Sequence, residues 1–524
     1  MKSLLCGALV LLGLTLLACG SGKITPAPPS GQFSNASLKG QYAFSISGLD
    51  LNAAYFAQIG SFTADGVGHI TGGLQDVLNL STGQPASVVS ISGGSYQIQS
   101  NGVGTLTLNG SDGSVLQLSL TLQSPSTGFL IETDLNAATS GSVNLQTSSN
   151  FSTSALAFPY VFQLSGVSFQ NSTAAPIAMI GQTVLNGSGG ITGGVMDTND
   201  GHSETPSGAT AISPGTYALD GSNGSSFGRG ALSFSGRTFA FYIVDSTHFK
   251  MLEEDTLGGD AGDAWQQAAT IPTENAQFSG SFVYLIGAGV STLGSEGPVD
   301  RVARFTSDGS GNISAVSLDD NNDGLYTHIS QGSNISAATY SIDSTYTGSG
   351  RGTFTFKASG QGTFVDVFYM ISPTQGVVSE TSRGIIGTGP ILAQSGGPFT
   401  LSNAAGTFVT LWTGEQLSYQ ASVPYAEEYV AHYTLGTTNS SNISGVISYV
   451  ELGISSKTVY AGEGLAGTLT INSPSTNNNH YQFAVGGPSP VTVNFQAYFV
   501  NASTVLMVCS DSTRTTAGMI VAQQ

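Results

Sequence analysis

The chain has 524 residues, of which 32 are Asp or Glu and only 13 are Lys or Arg, giving a formal net charge of −19. A surface this acidic repels phosphate backbones and argues against nucleic acid as a partner. Seventy glycines and a scarcity of helix formers point to an all-β protein, and the length exceeds one β domain and suits three or four.

The N-terminus places one positive charge, Lys2, before an apolar run from Leu4 to Leu17 and then Ala18-Cys19-Gly20. This is the pattern of a signal peptide, and its apolar run is too short to span a bilayer as a retained helix. Leu16-Leu17-Ala18-Cys19 resembles the bacterial lipobox. The resemblance implies that Cys19 becomes the lipidated first residue of a mature chain held to a membrane; the alternative is an ordinary cleavable signal with an incidental Cys19. Gly20 and Ser21 follow with no Asp, which resembles the sorting pattern for the outer membrane in enteric bacteria. The expected location is therefore the cell envelope, at the outer membrane or cell surface. Gly20 to Gln32 is rich in Gly, Ser and Pro, a tether composition with too few apolar side chains to pack. Without Lys2 the mature chain sets 12 basic residues against 32 acids, a net charge of −20.

Three cysteines are present: Cys6 in the signal, Cys19, and Cys509. No intramolecular disulfide is expected, so stability has to come from apolar burial. Cys509 follows Val505-Leu506-Met507-Val508 and reads as a buried small hydrophobe.

An internal repeat organises the rest. Aromatic-led alternating strands begin at Tyr42, Tyr160, Phe282 and Phe408, so the steps are 118, 122 and 126 residues. Three landmarks recur after the first three of these and more weakly after the fourth. A hairpin turn comes first, as Asp65-Gly66, Asn186-Gly187 and Asp308-Gly309, supplying the positive φ that tight hairpins need. A Tyr strand running into Gly-x-Gly follows: Tyr96 with Gly102 and Gly104, Tyr217 with Gly228 and Gly230, Tyr340 with Gly350 and Gly352. Last comes a long strand, a turn, and a strand ending in Glu132, Glu253 or Glu380, with Cys509 in that place in the fourth copy. Strict period-two alternation, as in Leu116 to Leu122, puts Leu on one face and Gln, Ser and Thr on the other. The fold expected is four tandem antiparallel β-meander units, each a small up-and-down barrel or a two-sheet sandwich. The organisation expected is a signal over 1–18, a lipidated Cys and tether over 19–36, and repeats over 37–147, 148–274, 275–397 and 398–524, the last divergent.

Few positions carry chemistry. Asp319, Asn321 and Asp323, followed by Gly324, resemble the start of an EF-hand-type calcium loop, but the twelfth position is Ser330 rather than Glu. They read either as weak Ca2+ ligands, the one cofactor considered, or as a solvated Asx turn. The second copy has Asp197 and Asn199 at the same place, and the first has Asp76 and Asn79. Glu132, Glu253 and Glu380 read either as ligand-binding carboxylates in a barrel mouth or as hydrogen-bond partners of a nearby turn or strand. Gly224-Ser225-Ser226-Phe227-Gly228 has the form of a nucleophile elbow, but it lies between strands, and the six histidines show no metal spacing. Trp412 and Tyr425 read either as aromatic side chains for stacking on sugars or as core and strand-pair fillers. The sequence thus points to a cell-envelope lipoprotein with a binding, adhesive or structural role toward a glycan or protein. A polysaccharide-acting enzyme with paired carboxylates and an outer-membrane β-barrel are the alternatives.

Overall fold

A computed structural model describes residues 33–524 apart from 204–205, 292–296, 361, 382–383, 398, 400–404, 418–424, 437–440, 454–455, 472–479 and 487–491. Cys19, the signal and most of the tether lie outside the described residues, as does the side chain of Tyr425. The described chain is almost wholly β, with one four-residue helical turn, Ser222–Ser225, and short 3-10 turns.

The strands form four antiparallel sheets in chain order, one sheet to each unit; the first and fourth are closed barrels and the second closes through an additional pairing. The first unit, residues 39–145, is a closed eight-stranded barrel in which Lys39–Asp50 pairs with Ala137–Leu145. The fourth, residues 406–522, closes in the same way through Gly406–Gln416 and Arg514–Ala522. In the second unit the third strand, Gly190–Asp200, pairs both with its predecessor and with Gly215–Leu219 to complete the barrel, and the short strand Ser207–Ala211 is added outside. In the third unit Leu325–Ser330 pairs with the third strand, and the sheet edges meet at the Asn312–Thr339 bridge.

The alternation decides what fills each barrel. Leu116, Leu118, Leu120 and Leu122 point inward with Tyr42, Phe44 and Phe62, and the third interior is lined by Phe282, Phe305, Phe354 and Phe368. The landmarks have local causes. Asp65 Oδ1 accepts from the N–H groups of Val67, Gly68 and His69, and Asp308 Oδ1 accepts from Ser310 and Asn312. The landmark tyrosines donate to the 3-10 turn that enters their own unit, Tyr96 to Leu38 O and Tyr217 to Leu156 O, both at 2.8 Å. In the Gly-x-Gly pair the first glycine adopts positive φ, 71° at Gly228 and 70° at Gly350. The second admits an aromatic ring: a Cβ at Gly352 would lie 2.3 Å from Phe368.

The polar faces are also buried, because the units pack on one another. The first strands of each unit lie against the last strands of the next, and those of the fourth lie against the last strands of the first, so the four form a closed ring. One side chain recurs at every joint. Gln146 Nε2 donates to Phe227 O and Ile243 O, and Gln267 Nε2 to Ser349 O and Met370 O. Gln394 Nε2 donates to Phe499 O, and Gln523 Nε2 to Asn101 O and Leu122 O. The next backbone N–H repeats the pattern: Thr147 donates to Val244 O, Ala268 to Ile371 O, Ser395 to Val500 O and Gln524 to Gln123 O.

Candidate binding cavity in the fourth unit

The residues singled out as calcium ligands sit at the joint between the third and fourth units. Asp319 lies on the outer face of the third strand, where both carboxylate oxygens accept hydrogen bonds. Tyr498 of the fourth unit donates to Oδ2 at 2.5 Å, and Tyr326 donates to Oδ1 at 2.5 Å, with His328 Nδ1 at 2.9 Å from the same oxygen. Asn321 Nδ2 donates to Cys509 O at 2.8 Å and Arg514 O at 2.9 Å, fastening the turn between the last two strands of the fourth unit. Asp323 stands apart in the following turn with φ of 51°.

The acids at the corresponding register do the same at two of the other joints. Asp76 accepts from Tyr242 and Arg229 of the second unit, and Asp197 from Tyr369 and Arg351 of the third, with both tyrosine bonds at 2.6 Å. Both arginines are the middle residue of Gly-x-Gly. At the fourth joint the register places Ser448 and Thr121 where the others have Asp and Tyr.

Glu132, Glu253 and Glu380 each point into the interior of their own barrel, fully buried, and the structure does not bring them together. Glu132 accepts from Thr139 at 2.7 Å, and burial pushes its carboxyl well above the usual range. Glu253 and Asp260 share Arg237 at 2.6 and 2.9 Å; burial, and then Asp260, push Glu253 up to about 10. Glu380 pairs with Arg301, whose Nε donates to Asp320 at 3.0 Å and whose guanidinium lies over Phe364. In the fourth unit Cys509 is buried at that place, and the acid is carried by another strand as Glu427.

Around Glu427 the fourth barrel holds a cavity of about 210 Å3. Trp412 stands on its wall at the register where the other units have Ile46, Leu164 and Ile286. Its ring lies 5.0 Å from Phe495 and 6.2 Å from Tyr429; Tyr429 stacks on Tyr449 at 5.3 Å, and Tyr449 on Tyr460 at 4.3 Å. At the polar end Arg514 lies 3.2 Å from Glu427 and 3.1 Å from the Tyr429 hydroxyl, which itself donates to Glu427 at 2.8 Å. Thr516 also donates to Glu427. Glu451, opposite Glu427 in the strand register, lines the same cavity; burial and then Glu427 push its carboxyl up, against the pull of Arg514. Arg514 Nε is buried without a hydrogen-bond partner, a cost of roughly 1–3 kcal/mol or more for a charged donor unless an acceptor enters. Of this set only Trp412 is legible in the sequence. Glu427 and Arg514 belong to the divergent copy and occupy positions where the other copies show no matching acid and base.

No known protein family matches the chain, and no curated protein matches it in sequence. Among solved structures, isotype 1 transferrin binding protein B from serogroup B Neisseria meningitidis is 9% identical, with 75% of this chain and 83% of that one covered at a TM-score of 0.21. A double mutant of transferrin binding protein B from Haemophilus parasuis Hp5 is also 9% identical, covering 76% and 83% at a TM-score of 0.20. At TM-scores this low the likeness carries no argument about fold or function.

Proposed function

We propose that the chain is a cell-envelope lipoprotein, anchored through Cys19, that binds a glycan in the cavity of its fourth unit. The observation that carries this reading is the aromatic box around Arg514, with an unused guanidinium donor at its polar end. Ring faces suit the C–H faces of a sugar, Arg514 suits an oxygen acceptor, and Glu451 accepts from hydroxyls. At about 210 Å3 the space is smaller than the roughly 300–1,000 Å3 of pockets for drug-sized ligands, so it fits a single ring of a longer chain. The barrels carry their aromatic and aliphatic side chains inside. That is the reverse of a membrane barrel, whose lipid-facing surface is apolar and whose lumen is polar, and it supports a ring held outside the bilayer by its tether.

Trp412 provides the readout, because the chain has only two tryptophans and the other, Trp265, belongs to the joint between the second and third units. In a Trp265→Phe background, a glycan panel should contain ligands that change Trp412 emission saturably, and Arg514→Gln or Tyr460→Ala should weaken that response at least tenfold. A panel without any saturable response would refute the reading. A second reading rests on Glu427 and Glu451 facing one cavity from adjacent strands, the arrangement of a hydrolytic carboxylate pair. Release of reducing ends from a bound glycan, lost in Glu451→Gln, would favour it.

A further inference from the structure

At the joint between the third and fourth units, three oxygen-bearing side chains from three strands line one small space of about 10 Å3. Asp300 comes from Gly297–Asp308, Glu415 from Gly406–Gln416 and Thr515 from Arg514–Ala522, with Glu415 and Thr515 directly opposite in the register. They are 1%, 6% and 0% exposed. A bulge after Ile286 in the first strand of the third unit sets Ala288 at φ of 50°, and its N–H donates to Asp300 Oδ1 at 2.7 Å. Asp300 Oδ2 and Thr515 Oγ1 are buried with no hydrogen-bond partner. The charges acting on the two carboxylates are acidic: Asp320 and Glu427 on Asp300, and Asp300, Asp323 and Glu427 on Glu415.

Two buried carboxylates with no cation between them, beside an orphaned hydroxyl, are an arrangement that folding disfavours strongly. Both problems are solved by one positive ion. We infer that Asp300, Glu415 and Thr515 form a binding site for a single Ca2+ ion that locks the third unit to the fourth. The donors are all hard oxygens, which suits an alkaline-earth ion over zinc or copper. The volume is near that of one water-sized sphere. The irregular ligand set disfavours Mg2+, which demands near-ideal octahedral geometry, and suits Ca2+, whose flexible shell can add main-chain carbonyls to these side chains. Among the described residues no three His, Cys, Asp or Glu side chains converge on one point; the third ligand here is a hydroxyl. The site is distinct from the Asp319–Asn321 face, where both Asp319 carboxylate oxygens already accept hydrogen bonds.

The test uses the mature protein, treated with chelator and then titrated with CaCl2, MgCl2 or NaCl, and read by calorimetry and by melting temperature. One Ca2+ per chain should bind, with a concentration-dependent rise in Tm of a few degrees and a weaker response to Mg2+. Asp300→Asn and Glu415→Gln should each reduce Ca2+ affinity at least tenfold. Thr515→Val should weaken the Ca2+ response while melting no lower than the parent in chelator, because it removes a buried hydroxyl that has no hydrogen-bond partner. That outcome separates loss of a ligand from loss of packing. Asp319→Asn should leave the Ca2+ response intact. Equal melting of the parent in Ca2+ and chelator with no binding heat would overturn the inference, as would an undiminished response in both carboxylate variants.

Discussion

Lys250 shows what a single side chain contributes to the ring. Its ammonium is wholly buried at the joint between the first two units, donating to Ser142 Oγ at 2.8 Å, Ser45 Oγ at 3.1 Å and Asp263 Oδ1 at 3.1 Å. Burial raises the Asp263 carboxyl, but Lys250 and the His248 hydrogen bond outweigh it and hold Asp263 down to about 2. In the unfolded chain Asp263 takes up its proton near pH 4, so below that pH the unfolded state binds more protons than the folded one. The pair's contribution is therefore complete above pH 4 and is lost as pH falls toward 2, by about 2 kcal/mol. Chemical denaturation at pH 7 and pH 3 should show about half of this loss in the parent and a shallower one in Asp263→Asn. Lys250→Met alone should cost about 3–5 kcal/mol by leaving Asp263 buried and unpaired, and Lys250→Met with Asp263→Asn should recover most of it. None of this was legible in the sequence, because Lys250 has no counterpart in the other copies. Recurrence did expose Glu132, Glu253 and Glu380. Their partners Thr139, Arg237 and Arg301 differ in type and strand from unit to unit, so no repeat revealed them.

For single strands the alternation was readable and the covering was not. A period of two says which residues share a face, and it correctly assigns Leu116 to Leu122 to a barrel interior. It does not say what lies against the other face. Ser119 and Thr121, expected as polar outward residues, are 3% and 1% exposed, because that face meets another barrel. The same gap separates the two roles weighed for Asp319: the carboxylate was visible, and Tyr498, 179 residues away, was not. The tyrosine–acid ties should be coupled energetically. Tyr369→Phe removes a charge-assisted bond to Asp197, which keeps Arg351, and should destabilise the protein by about 1–3 kcal/mol. Asp197→Asn in the Tyr369→Phe background should cost less than Asp197→Asn alone, and a double-mutant cycle in denaturant midpoint measures the difference. Additive losses would mean that the two groups act independently.

At the scale of the molecule the repeat period revealed four units, while closure depends on the rotation between neighbours, which no residue pattern encodes. Every joint is heterologous, joining two different faces of adjacent units, so the array stays finite only because the fourth step returns to the first unit. Removing residues 398–524 would uncover Val283, Leu285 and Val302 at one end and Phe129, Ile131 and Ala138 at the other. Those faces are built to receive a neighbour, and the shortened chain should self-associate with a size that grows with concentration in size-exclusion chromatography. A monomer at all concentrations would show that the two faces do not fit one another. The closure has one more consequence. Phe33 and Gln523 both lie against Gly102, so the two ends of the described chain meet, and the order of the units along the polypeptide is separable from their order in space. A circular permutant that joins these ends and opens the segment between Ala268 and Glu274 would begin with the third unit and still keep all four joints. Which barrel follows the N-terminal segment is then decided by the position of the breakpoint and by nothing in the packing.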